Sequence, residues 1–198
     1  MLLLLTAVLG SVVVGLLVGG RLSGFEHIKL RWWGLAPLGL AMQLTPLTTR
    51  NALGIGLLLL SYVVLITFCV LNRRLSGFLL IAIGLGLNML VIGLNGGMPV
   101  TTSALIKSGQ PGVIRYLQTE GGAKHHIATD DVLLPIGDVI PVGTPFNQVV
   151  SIGDVVVYAG IAWFCIATMR RQRRGGVDGD VSGNEAAPAL DSDSPSET

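Results

Sequence analysis

Apolar residues gather into five long runs divided by short polar breaks, and one longer stretch of mixed character separates the fourth run from the fifth. The runs are Leu2–Gly20, Leu30–Leu47, Ala52–Leu71, Leu75–Leu94 and Val149–Met169. Each holds about 18 to 21 residues, roughly 27 to 31 Å as helix, enough to cross a hydrocarbon core of about 30 Å. A helix satisfies its own backbone hydrogen bonds, which lipid cannot do for it, so such runs predict membrane helices. The second run is the least regular: Arg31 stands near its start, and Pro37, Gln43 and Pro46 interrupt it. The predicted fold class is all-α, a polytopic membrane bundle of about five transmembrane helices over residues 1–171, with Leu2–Gly20 read as a retained anchor.

Composition agrees with the pattern. The chain is 51% hydrophobic and 13% charged, with a mean hydropathy of +0.68. Soluble domains carry about 25% charged residues. A net charge of +1 gives no field that would draw nucleic acid. Cys69 and Cys165 lie inside apolar runs and read as small buried hydrophobes, neither a disulfide framework nor a metal knot.

The basic residues orient the set. Of 13 Lys and Arg residues, nine fall on one side of the predicted bundle: Arg21, Lys29, Arg31, Arg73, Arg74, Arg170, Arg171, Arg173 and Arg174. Arg50, Lys107, Arg115 and Lys124 fall on the other. The positive-inside rule then predicts the N-terminus out, the C-terminus in, and the 95–148 loop outside. Trp32 and Trp33 would lie at the inner interface, where amphipathic rings are favoured. From Gln172 onward Gly, Ser, Asp and Pro dominate, so residues 172–198 are expected to be a disordered cytoplasmic tail. The basic cluster before it suits anionic membrane lipids. Gly15 and Gly19 form a small-xxx-small pair, which serves either packing within the bundle or self-association.

The long loop holds most of the groups able to do chemistry. Asn95-Gly96-Gly97 ends the fourth run as a helix C-terminus should. Thr102 or Ser103 is expected to cap a short helix through Leu105 and Lys107. Pro111 is placed to open another through Ile114 and Leu117. Ile136-Gly137-Asp138-Val139 recurs as Ile152-Gly153-Asp154-Val155. Ser151 and Asp154 have the spacing of a capping box, with Asp154 in the first turn of the last span, where the helix dipole favours an anion. Asp138 stands between Pro135 and Pro141, and a carboxylate in so apolar a segment needs partners for its oxygens. Gln43, Asn88 and Asn95 lie in or near the outer halves of their spans. Polar groups in spans avoid lipid, and either bond neighbouring helices or mark a site. Gln43, Asn88, Asn95, Asp138 and Asp154 are therefore the candidate ligand-binding set. His125 and His126, with Asp130 and Asp131 nearby, are weak metal candidates, because adjacent histidines lack the i, i+4 spacing that puts two rings on one helix face. Ser103 or Ser108 with His125 and Asp138 makes a hydrolase triad on paper, without a nucleophile elbow to support it.

The ordered set LSGFEHIKLRWWGLAPLGLAMQL, NGGMPV, HH, LLPIGDVIPV and SIGDVVVYAG resembles a family of small bacterial multi-pass membrane proteins known only as a domain of unknown function. The likeness covers about residues 1–168. The chain departs from the family pattern at Pro135, where an aromatic is expected, and keeps Asp138. The resemblance implies a bacterial cytoplasmic membrane and a structured outer loop, and it carries no activity. The expected function is non-enzymatic: a membrane protein whose outward polar cluster binds a ligand or protein partner, without a cofactor. The alternatives are a small transporter or channel component and a membrane-embedded hydrolase or transferase.

Overall fold

The structure, a computed structural model, describes residues 2–26, 28–44, 52–119 and 124–181; at residue 44 and residues 171–181 it describes the backbone alone. Its described helices are α1 (Leu2–Leu17), α2 (Leu35–Leu44), α3 (Ala52–Leu71), α4 (Phe78–Asn95), α5 (Thr102–Lys107), α6 (Pro111–Thr119) and α7 (Ile152–Val181). A short 3-10 helix, Leu22–Phe25, follows α1, and another, Leu134–Ile136, lies in the loop. Four three-residue strands complete the set: β1 (Met98–Val100), β2 (His125–Ile127), β3 (Ile140–Val142) and β4 (Gln148–Val150).

The protein is a helical membrane bundle, and among the described residues three helices, not the expected five, have the length and apolar composition of a span. Ala52–Leu71, Phe78–Asn95 and the Ile152–Arg170 part of α7 are long and apolar enough to cross a membrane. The first run is a helix of 16 residues, about 24 Å long. It stops because Gly19 turns left-handed (φ 80°) and the Gly20 amide reaches back to Gly15 O at 2.9 Å, a Schellman ending. The second run gives only ten described helical residues. Asn72 takes both backbone groups of Arg31: its Oδ1 accepts from the Arg31 amide at 2.8 Å and its Nδ2 donates to the Arg31 carbonyl at 3.0 Å. Trp32 then takes a left-handed φ of 52°, so helix cannot run through it, and α2 begins at Leu35. Residues 45–47 of that run, and Arg50, lie outside the described residues.

The bundle is held by close backbone approaches. A Cβ at Gly84 would lie 2.5 Å from Gly153 O, and one at Gly24 would lie 2.5 Å from Thr168 O. Gly15 faces Met169 of the same chain, whose Sδ would be 2.5 Å from an added Cβ. The flat side that Gly15 offers is thus used within the chain, while Gly19 serves the turn. At this end Phe25, Phe78 and Phe164 meet edge to face, with Phe164 centroids 6.0 Å from Phe25 and 5.2 Å from Phe78. Leu5, Leu9, Leu53, Leu79 and Trp163 are exposed, as lipid-facing side chains are.

The loop is folded. β1 and β2 pair in parallel, with Met98 opposite His125 and Val100 opposite Ile127. β3 and β4 pair antiparallel. α5 and α6 cover β1 and β2 through a small core of Val100, Leu105 and Leu117. The N-cap of α5 is Thr101, ahead of both expected residues, Thr102 and Ser103; its side chain accepts from the Ala104 amide at 3.3 Å. Helix α7 continues to Val181, ten residues into the stretch expected to be disordered; residues 182–198 lie outside the described residues.

Candidate functional site

The site forms where the N-terminal half of α3, the C-terminal half of α4 and the start of α7 meet the loop. Its floor is a closed polar network. Ser151 and Asp154 cap each other: the Asp154 amide donates to Ser151 Oγ at 3.0 Å, and the Ser151 amide donates to Asp154 Oδ2 at 3.1 Å. This is the reciprocal pattern that relieves the orphan amides of a helix start. Asn88 locks the cap to α4. Its Nδ2 donates to Asp154 Oδ1 at 2.8 Å, and its Oδ1 accepts from Ser151 Oγ at 2.9 Å. Gly153 makes room, because any Cβ there would collide with the Asn88 amide. Since Asn88 precedes the end of α4 by seven residues, α7 begins about 10 Å below that end.

Asp138 forms the roof. Its backbone is threaded beside β1: the Asp138 amide donates to Pro99 O at 3.0 Å and the Thr101 amide donates to Asp138 O at 3.4 Å. Val100 and Asp138 form an isolated parallel bridge, so Gly137-Asp138 lies along β1 on the side away from β2. The side chain is buried, and its Oδ2 meets His125 Nε2 at 3.3 Å. Its Oδ1 has no hydrogen-bond partner among the described residues. Burial pushes the Asp138 carboxyl above its usual range, and His125 opposes that shift. Asp154 adds a smaller push upward.

Between floor and roof lies a cavity of about 70 Å³. Its polar wall is Tyr62, Asn88, Lys124, His125, Asp138 and Asp154, and its apolar wall is Leu58, Ile92 and Met98. Burial pushes the Lys124 amine below its ordinary value. Three of the expected site residues therefore share one space: Asn88, Asp138 and Asp154. Asn95 stands apart from it. Its Oδ1 accepts from the Val132 amide at 2.8 Å and its Nδ2 donates to Val132 O at 2.8 Å, tying α4 to the loop. Gln43 does not line the cavity either.

The two histidines part company because successive strand residues point to opposite faces. His125 faces Asp138, while His126 Nε2 pairs with Asp131 Oδ1 at 2.7 Å, and Asp131 also accepts from the Thr129 amide at 2.9 Å. Among the described residues no three His, Cys, Asp or Glu side chains converge as metal ligands would. Tyr62 and Lys124 were not anticipated. A tyrosine in an apolar run and a lone lysine in a loop are ordinary in isolation, and only the fold puts them at one cavity.

These features define a class: a helical membrane bundle with a polar cavity under a folded loop. Residues 27–166 match a family described as "Family of unknown function (DUF5317)", and the chain belongs to that family. It is also similar to an "Uncharacterized protein" of Thermotoga maritima, 34% identical over 117 residues, which is 57% of this chain and 64% of that protein. The chain thus matches a little under two thirds of that relative's length. No solved structure matches the chain.

Proposed function

We propose that this protein is a non-enzymatic binding protein of the bacterial cytoplasmic membrane, holding a small ligand in the cavity between Asp138 and Asn88 at the outer face. The observation that carries the reading is the free oxygen of Asp138. A buried carboxylate oxygen without a donor costs free energy, and here it borders a space able to hold a donor. The floor residues behave differently, because Asn88, Ser151 and Asp154 satisfy one another. The orientation proposed is N-terminus out and C-terminus in. It is supported by the basic residues at the far end: the Arg21 amide donates to Met169 O beside Arg170, and Arg31 is bonded to Asn72 beside Arg73 and Arg74. A reporter fused after Thr198 tests it; a reporter active outside the cytoplasm sinks the topology.

The function is tested by the double variant Asp138→Asn with Asn88→Ala, expressed in place of the wild type in a bacterium whose own copy has been deleted. The reading predicts that the variant inserts in the membrane and fails to restore whatever growth defect the deletion causes. Full restoration by a variant with an altered cavity overturns it. A transport route through the same cavity is the second reading, and what favours it is that Tyr62 and Asn88 lie within candidate spans rather than in the loop. Solute flux into liposomes separates the two.

A further inference from the structure

We propose that the cavity takes a small primary ammonium carrying a short apolar tail. The inference rests on the ligand-binding reading above and names the chemistry of its ligand. Asp138 is only 5% exposed, and its Oδ1 lacks a partner among the described residues. It is an acceptor without a donor, and an ammonium brings three donors and a positive charge. Charge points the same way. Asp138 and Asp154 line the cavity against the single ammonium of Lys124. An anion would meet two carboxylates, Asp138 and Asp154, at the cavity wall.

The opposite wall decides between a bare ion and an organic cation. Leu58, Ile92 and Met98 form it, and none of them offers a side-chain oxygen. A calcium ion wants six to eight oxygen ligands, and the oxygens of Asp154 and Asn88 are already engaged with Ser151 and each other. A short alkyl tail suits the apolar wall, where its burial contributes about 0.8 kcal/mol per CH2. A cavity of about 70 Å³ is several times the ~10–15 Å³ that a single water requires, and it limits the ligand to a few heavy atoms.

The test is titration calorimetry with n-butylammonium on the full chain in detergent, at constant ionic strength, with n-butanol and butyrate as controls. Wild type is expected to bind butylammonium and neither control. Asp138→Asn should weaken binding roughly ten- to a hundredfold, as loss of a charge-assisted hydrogen bond does. Lys124→Met, which removes the competing cation, should tighten it on the order of several-fold. These opposite signs are the signature, and Lys124→Met keeps the test decisive if Asp138→Asn fails to fold. Equal binding to wild type and both variants means partition into the detergent or bundle, and overturns the proposal. If butylammonium does not bind, yet a molecule that co-purifies with wild type is lost from Asp138→Asn, the ammonium class is wrong and the binding site stands.

Discussion

Asn88 donates a 2.8 Å hydrogen bond to Asp154 across 66 residues of sequence, and this bond fixes where α7 begins. It joins a capped helix start to the side of a neighbouring span. Each polar atom there finds a protein partner, whereas Asp138, a short distance above, keeps an oxygen unused. The two aspartates of the repeated Ile-Gly-Asp-Val motif thus do different work. Asp154 holds the bundle, and Asp138 faces the cavity.

Removing Asn88 should therefore cost stability. Asn88→Ala leaves Ser151 Oγ and Asp154 Oδ1 buried without their partner, a loss of about 1 to 3 kcal/mol. Thermal unfolding in detergent measures it. A double-mutant cycle with Ser151→Ala should show coupling of about 0.5 to 3 kcal/mol, since the two share one network. Additive losses would mean the network is not formed.

Glycine substitutions should divide by position. Gly84→Ala drives a methyl group into the Gly153 carbonyl, with backbone on the far side that cannot give way. It should lower the melting temperature clearly. Gly56 and Gly86 have nothing within 4 Å of an added Cβ. Alanine at either should be neutral or stabilise by up to about 1 kcal/mol through helix propensity. Equal losses at all three would contradict the α4–α7 contact.

Asp138 should make stability depend on pH. Burial raises its folded pKa above the ordinary 3.8, so the folded state holds that proton more tightly than the unfolded state does. Stability is then lost as pH rises from the ordinary carboxylate range through the raised value. Asp138→Asn removes this cost. The variant should melt above wild type at about pH 8, with the gap closing toward about pH 4. A gap that is constant with pH would show that Asp138 titrates normally.

The two histidines should respond differently. His126 and Asp131 are both buried, and His126→Ala should cost about 1 to 3 kcal/mol and raise hydrogen exchange in β1 and β2. His125 is about half exposed at 46%, so His125→Ala should cost less stability and instead alter ligand affinity. Reversed effects would contradict the strand register of β2.

The apolar runs showed clearly where α3 lies, and nearly where α4 and α7 lie, because lipid demands uninterrupted length. They misled at Leu30–Gly34. Hydropathy does not report a backbone dihedral, and Trp32 with the Asn72 clamp on Arg31 sets the helix start later. The capping box at Ser151 and Asp154 was legible because its spacing is local. The loop strands were not: each has three residues, and β1 and β3 carry Pro99 and Pro141, which alternation cannot reveal. Asn88, Asp138 and Asp154 stand out in the sequence as polar residues in apolar settings, and the fold sets all three around one cavity. Gln43 looks the same by that measure and does not line it, since sequence does not report which polar residues share one space.

The most direct test is native mass spectrometry of the gently extracted full chain, wild type beside Asp138→Asn. A small molecule bound to the wild type and absent from the variant is the predicted result. Identical spectra, with no bound species in either, would make Asp138 a structural turn residue and contradict the cavity as a binding site.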